Sequence, residues 1–109
     1  MHELGITRNI VAIVMEHAGD NRVARVTLDI GKLSAIMPDA IRFCFDVCTK
    51  DTPLENATLE INEIPGLGRC EVCGAEVELE QKFGHCDCGS NLITCIAGDE
   101  MKIREMALY

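Results

Sequence analysis

Four cysteines in two closely spaced pairs constrain the fold of this chain more than any other feature. The pairs are Cys70-x-x-Cys73 and Cys86-x-Cys88, each followed directly by a glycine. Such pairs are typical of a zinc ribbon, in which each pair turns tightly around the ion and the glycine adopts a positive φ. Because four thiolates fill a tetrahedral shell, the sequence predicts a closed, structural Zn²⁺ site at these four residues.

The segment between Cys70 and Gly89 depends on this site because it contains few apolar residues. Burial of so few side chains cannot offset an ordering entropy of roughly 1–2 kcal/mol per residue for the backbone alone. A structural zinc ion contributes on the order of 10–16 kcal/mol, which acts as folding energy. A redox-active CxxC pair is the alternative interpretation, and the presence of the second pair argues against it.

The remaining potential ligands are weaker candidates. The second cysteine pair is one residue shorter than the common CxxC form, so His85 could replace a thiolate; an ordinary loop histidine is the alternative. Cys44 and Cys48 lie four residues apart in a predicted helix and Cys95 in a predicted strand, where free cysteines behave as small hydrophobic residues. We expect these three cysteines to belong to the core.

Charge and length exclude several classes of function. The chain has 109 residues, enough for one domain or for a small domain with a metal-held module. A net charge of −8 argues against nucleic-acid binding. We expect neither a signal peptide nor a membrane span. Seven cysteines without an export signal indicate the reducing cytoplasm, where clustered cysteines more often bind metals than form disulfides.

The apolar periodicity predicts an α+β fold. Spacings of three and four residues predict a helix over 4–18 that ends at Gly19-Asp20-Asn21, and a second helix that begins near Pro38 and ends at Thr52-Pro53. The predicted buried row of the second helix is Ile41, Cys44, Phe45 and Cys48. Alternation predicts half-buried strands over 25–30 and 57–62. A hinge is expected over 65–68, and 92–97 and 101–108 are expected to form a hairpin.

The first three residues, Met1, His2 and Glu3, form a candidate chelate. An α-amino group and an imidazole are nitrogen donors with ordinary pKa values of roughly 7.7–8 and roughly 6.5. Nitrogen-rich sites suit Cu(II) and Ni(II). We expect Met1 to be retained, since initiator removal usually requires a small second residue. An incidental histidine at a frayed terminus is the alternative interpretation.

Taken together, these motifs resemble a known family. The Met1-His2-Glu3 start, the order of helices and strands, the four-cysteine ribbon and the closing stretch over 98–104 are similar to the HypA/HybF hydrogenase-maturation proteins, which are nickel metallochaperones. The resemblance covers the whole chain. It departs at Cys86-x-Cys88, where the family usually has CxxC.

The resemblance implies specific roles for these residues. Ni(II) would be bound as cargo by the Met1 amine, the His2 imidazole and nearby backbone amides, with Glu3 as a ligand or a neighbour of one. Cys70, Cys73, Cys86 and Cys88 would hold structural Zn(II). The implied partners are the maturation GTPase HypB and a hydrogenase large-subunit precursor. The chain would deliver nickel and would not be an enzyme.

The resemblance also implies a domain organisation. The last strand would leave the zinc module and complete a three-stranded sheet covered by the two helices. The nickel-binding domain would then comprise 1–66 with the returning strand 99–109, and the zinc-binding domain 67–98. The competing interpretation is a zinc-ribbon interaction or regulatory module without nickel cargo. A zinc enzyme is disfavoured, because four thiolates leave no open position for water.

Overall fold

The computed structural model describes residues 2–81 and 84–109, with only the backbone of His2, and it has an α+β architecture. The elements are α1 (His2–Ala18), β1 (Val23–Gly31), α2 (Pro38–Cys48), β2 (Thr58–Ile64), β3 (Gly66–Cys70), β4 (Glu76–Leu79), β5 (Ile93–Ala97) and β6 (Met101–Leu108). The strands form two three-stranded sheets, ordered β2-β1-β6 and β4-β3-β5. The predicted fold class, two helices with a small sheet and a four-cysteine module, is confirmed.

The chain divides into two compact units. The first comprises Met1–Leu28, Ile36–Asn62 and Lys102–Tyr109, and the second comprises Asp29–Ala35 and Glu63–Met101. Both units are therefore assembled from discontinuous segments. The assignment of nickel binding to 1–66 with 99–109, and of zinc binding to 67–98, concerns which metal each part holds and stays a prediction.

The first unit has an aliphatic core. Its fully buried side chains include Ile10 and Val14 from α1, Val26 and Leu28 from β1, and Ile41 from α2. This composition agrees with the scarcity of aromatic residues, which make up 4% of the chain. Within the described residues, no helix combines the length and the apolar character needed to cross a membrane.

Local signals define the ends of the two helices. After α1, Gly19 adopts a φ of 63° and its N–H donates to the carbonyl of Met15, which confirms the predicted stop. The second helix ends at Cys48, so the predicted end at Thr52-Pro53 is wrong. Both the N–H and the hydroxyl of Thr49 donate to the carbonyl of Phe45, and Asp51 then adopts a φ of 63°, which turns the chain out of the helix before the proline is reached.

The prediction that β1 is half-buried is wrong. The alternation places Thr27 and Asp29 on the face expected to be exposed to solvent, but each is only 3% exposed. The physical reason is the central position of β1, which has a neighbouring strand on each side. Arg25 of β1 contacts both neighbouring strands: its guanidinium lies 4.0 Å from the carboxylate of Glu60 in β2 and 3.8 Å from that of Glu105 in β6.

The segment 65–68 does not form the hinge that was predicted, because most of it belongs to a strand. Gly66 and Gly68 are buried within β3, which pairs antiparallel with β4. A side chain at Gly66 would collide with the carbonyl of Leu79 and the side chain of Leu33. These glycines therefore permit close packing of the second sheet, and they do not mark a flexible hinge.

The predicted hairpin over 92–108 is also wrong. β5 pairs with β3, whereas β6 joins the other sheet next to β1. The turn between β5 and β6 is hydrogen-bonded to the end of β1 and the residues that follow it. The N–H of Gly31 donates to the carbonyl of Glu100, and the N–H of Leu33 donates to the carbonyl of Gly98. The arrangement implied by the family resemblance, with the last strand returning to the first sheet, is confirmed.

Candidate metal centre

Two tight turns in the second unit present the four ribbon cysteines. At the end of β3, the N–H of Cys70 donates to Ala75 and its carbonyl accepts from Gly74, which has a φ of 78°. In the second turn, the N–H of Cys86 donates to Ser90 and its carbonyl accepts from Gly89, which has a φ of 95°. Both glycines adopt the positive φ predicted from the sequence, and this lets each chain segment double back.

The four sulfur atoms converge on one point. All four Sγ atoms lie within 4.8 Å of one another. Two close pairs combine the two turns: Cys73 and Cys86 at 3.4 Å, and Cys70 and Cys88 at 3.6 Å. A zinc–sulfur distance of about 2.3 Å in a tetrahedron gives sulfur–sulfur edges of about 3.8 Å. The geometry and the donor set therefore fit Zn²⁺, and the shorter Cys86-x-Cys88 pair reaches the same centre.

Burial divides the cluster into an inner and an outer half. Cys70 and Cys86 are 1% and 7% exposed, whereas Cys73 and Cys88 are exposed to solvent. Each turn thus contributes one buried and one exposed sulfur. A four-coordinate ion held in this way has no open position for water, which suits a structural site and does not suit catalysis.

The thiols influence one another's protonation. Hydrogen bonds to the Cys70 sulfur, above all from the backbone N–H of Cys73, lower the pKa of that thiol to about 6 despite the opposing effect of burial. At Cys86 the backbone N–H of Cys88 also lowers the pKa. This lowering is outweighed by burial and by interactions with the sulfurs of Cys73, Cys88 and Cys70. Together they raise the pKa of the Cys86 thiol to about 12. A divalent cation at the centre would replace the retained protons and allow four thiolates to coexist.

The other candidate ligands lie outside this cluster. Among the described residues, only the four ribbon cysteines are grouped closely enough for shared metal ligation, and His85 is exposed and is not among them. Cys95 donates its S–H to the carbonyl of Ala97. Cys44, Cys48 and Cys95 are only half-buried, so the expectation that these three cysteines belong to the fully buried core is wrong. The helical spacing of Cys44 and Cys48 did not show which part of the helix surface is covered.

The N-terminal candidates are positioned by the start of α1. The helix begins at His2, while Met1 and the side chain of His2 lie outside the described residues. Glu3 is half-buried in the first turn, and its carbonyl accepts a hydrogen bond from the hydroxyl of Thr7 at 2.6 Å. Nickel binding by Met1, His2 and Glu3 stays a prediction. A carboxylate at this end of a helix is stabilised by the helix dipole.

An apolar groove runs from this terminus along α2, and the sequence analysis did not identify it. Its lining residues come from the two helices: Glu3, Leu4, Ala40, Phe43, Cys44 and Val47. The signal was present in the sequence. Positions 40, 43, 44 and 47 recur at intervals of three and four, as a second apolar row beside the buried one.

The whole chain is similar to a known protein family. A family model described as "Hydrogenase/urease nickel incorporation, metallochaperone, hypA" matches residues 1–108. The chain is 65% identical over 108 residues to the hydrogenase maturation factor HypA of Nostoc punctiforme, covering 99% of this chain and 96% of that protein. It is 45% identical over 107 residues to HypA of Geobacter metallireducens, covering 97% of each.

Solved structures support the fold. The solution structure of the nickel metallochaperone HypA from Helicobacter pylori has a TM-score of 0.70 at 21% identity, and covers 97% of this chain and 96% of that one. A second solution structure, of a HypA protein, has a TM-score of 0.74 at 23% identity, covering 100% and 97%. At these identities the structural likeness extends to the fold alone.

Proposed function

The chain belongs to the HypA family of hydrogenase/urease nickel-incorporation metallochaperones, and on that premise we propose that Met1, His2 and Glu3 bind Ni(II) as cargo for a hydrogenase large-subunit precursor. As a maturation factor, the protein is not an enzyme. The observation that carries the proposal is the separation of two kinds of site along the chain. The four sulfurs lie in the second compact unit, and Glu3 lies at the start of α1 in the first.

The donor types at the terminus suit nickel. The Met1 amine and the His2 imidazole supply nitrogen ligands, which favour Ni(II) in square-planar or tetragonal geometry. Backbone amide nitrogens next to these two ligands would complete the set, each losing its proton when it binds the ion. Glu3 is close enough in sequence to act as an oxygen ligand or to orient one of the nitrogen ligands.

A terminal chelate also suits delivery. A carrier needs a site that is selective for its ion yet open to ligand exchange, and incoming ligands can displace nitrogen donors at a chain end one at a time. The four-thiolate centre has the opposite character. We propose that Cys70, Cys73, Cys86 and Cys88 hold Zn(II) permanently, since the ion there is bonded on all sides and stabilises a segment with few apolar contacts.

Delivery requires partners. We propose that the chain acts with the maturation GTPase HypB and then transfers nickel to the hydrogenase precursor in the cytoplasm. The net charge of −8 favours protein surfaces with basic groups over nucleic acid as partners.

Metal analysis tests the proposal. After nickel supplementation and removal of loosely bound ions, we expect about one nickel and one zinc per chain. Zinc alone would contradict nickel carriage and would favour a zinc-ribbon interaction module. Nickel bound by the four sulfurs, identified from sulfur-to-nickel charge-transfer absorption, would contradict the assignment of the two sites.

A further inference from the structure

The outer surface of α2 carries an apolar row that the described structure leaves uncovered. Phe43 and Val47 are 72% and 58% exposed, and Met37, just before the helix, is 64% exposed. Ile41 and Phe45, on another side of the same helix, are buried. The helix therefore has one apolar side that packs into the core and another that does not. Large exposed apolar side chains in one place indicate an interaction surface.

The geometry of this row indicates the shape of its occupant. Ala40, Phe43, Cys44 and Val47 stand at positions i, i+3, i+4 and i+7, and Leu4 of α1 lines the opposite side of the groove. Ridges at this spacing accept the side chains of another helix between them. Such grooves bind amphipathic helices through apolar anchors that repeat every three or four residues.

Charge distinguishes between possible occupants. Acidic side chains flank the groove, with Glu3 in its lining and Asp39 and Asp46 on α2 next to the apolar row. The Asp39 side chain is fully exposed and lies 3.9 Å from Arg42. A second copy of this chain would bring the same acidic groups and a further charge of −8. Like charges oppose that association, whereas basic residues beside an apolar row would favour it.

We propose that this groove, lined by Glu3, Leu4, Ala40, Phe43, Cys44 and Val47, is the docking site for an amphipathic helix with basic flanks on a nickel-transfer partner. The inference rests on the proposed function, because Glu3 belongs to both the groove and the proposed nickel site. A helix seated there would lie beside the metal ligands. Docking would thus place the donor or acceptor of the ion next to the terminal chelate.

Replacement of the two most exposed groove residues on α2 tests the proposal without disturbing the core. Binding of purified, metal-free hydrogenase precursor and of the maturation GTPase is measured by surface plasmon resonance to three proteins. These are the wild type, the double variant Phe43→Ser/Val47→Ser, and the control Leu92→Ser. Leu92 is 56% exposed and lies in the other compact unit. We expect the affinity of the double variant for at least one partner to fall about tenfold or more. Losses of this size are usual when a large apolar side chain at the centre of an interface is truncated. The control should bind like the wild type.

A second measurement identifies the occupant. With the photoreactive substitution Phe43→p-benzoylphenylalanine, cross-links should map to apolar residues of the partner at intervals of three or four, flanked by lysine or arginine. Cross-links to a second copy of this chain, or to an extended strand, would overturn the assignment. Unchanged affinity of the double variant for both proteins, or no binding by the wild type, would also overturn it.

Nickel titration of the same variants separates this inference from the proposed function. Nickel affinity should be the same in the wild type and the double variant, because neither replaced residue offers a nickel ligand. If the wild type binds partners through the groove but binds no nickel, docking stands and nickel carriage fails. If nickel binds and the double variant docks normally, nickel carriage stands and the docking site is wrong.

Discussion

The Sγ atoms of Cys73 and Cys86 lie 3.4 Å apart, although the two residues are thirteen positions apart in the sequence. Each residue comes from a different turn, so this contact joins the two halves of the metal-binding segment. The segment between Cys70 and Gly89 contains few apolar residues that could hold the two turns together. The stability of the segment therefore depends on the ion that the sulfurs bind.

Replacement of one exposed sulfur should release the zinc. We expect Cys73→Ala to lower zinc content from about one ion per chain to near zero and to unfold the segment around the four cysteines. The reason is that a structural zinc site supplies on the order of 10–16 kcal/mol of folding energy there. Elemental analysis and amide hydrogen exchange measure the two effects. Cys95→Ala is the matched control, because Cys95 lies outside the cluster. This variant should retain zinc. Full zinc retention by Cys73→Ala would contradict the assignment.

Extension of the N-terminus should weaken nickel binding selectively. Two residues, Gly-Ser, placed before Met1 convert the terminal amine into an amide, which removes one nitrogen ligand. We expect calorimetric nickel affinity to fall at least tenfold while zinc content stays constant. His2→Ala should have the same effect without unfolding the protein. Unaltered nickel affinity in the extended protein would exclude the amine as a ligand.

Nickel and zinc should differ in their response to acid. The amine and the imidazole must be unprotonated to bind nickel, so affinity should fall as pH decreases from about 8 to about 6. The Cys70 thiol, whose pKa is lowered to about 6, stays a thiolate until pH falls through that value, whereas the pKa of Cys86 is raised to about 12, so the ion itself must displace that proton. Binding by all four sulfurs at once makes zinc harder to displace by protons than nickel at two nitrogen donors. Dialysis at stepped pH followed by metal analysis should therefore show nickel lost before zinc. Simultaneous loss of both ions would indicate a shared ligand set.

A side chain at Gly66 should destabilise the second sheet. An ideal Cβ there would lie 2.5 Å from the carbonyl oxygen of Leu79 and 2.6 Å from a methyl carbon of Leu33. We expect Gly66→Ala to cost about 1–3 kcal/mol, the usual range for overpacking, measured by denaturant unfolding of the zinc-loaded protein. Gly5→Ala in α1 is the control, since no atom lies within 4 Å of the added carbon. It should stabilise the helix by roughly 0.5–1 kcal/mol. A neutral Gly66→Ala would contradict the packing argument.

Sequence patterns predicted the local features well. The spacing of Cys70, Cys73, Cys86 and Cys88 predicted one cluster, and the glycines after Cys73 and Cys88 predicted the positive φ angles seen at Gly74 and Gly89. The stop of α1 at Gly19 was equally evident. These features depend on contacts between residues close in sequence, so short patterns contain the information.

Features that depend on distant segments were predicted poorly from the residues. Alternation in β1 indicated a wet face at Thr27, yet a strand on each side buries that residue. Gly66 and Gly68 resembled a hinge because glycine is common in loops, but here they permit close packing. The uncovered row at Phe43 and Val47 was not separated from the buried row, since both repeat with helical spacing.

The sequence by itself determined which four cysteines cluster, where the first helix stops, and which family the chain resembles. Residue patterns did not show, and tertiary structure decided, that β6 pairs with β1 and not with β5, that β1 has a neighbouring strand on each side, and that one side of α2 stays open. The physical reason is that a periodic pattern records which side chains avoid water, but not which distant segment covers them. That choice depends on the combined packing of all the elements.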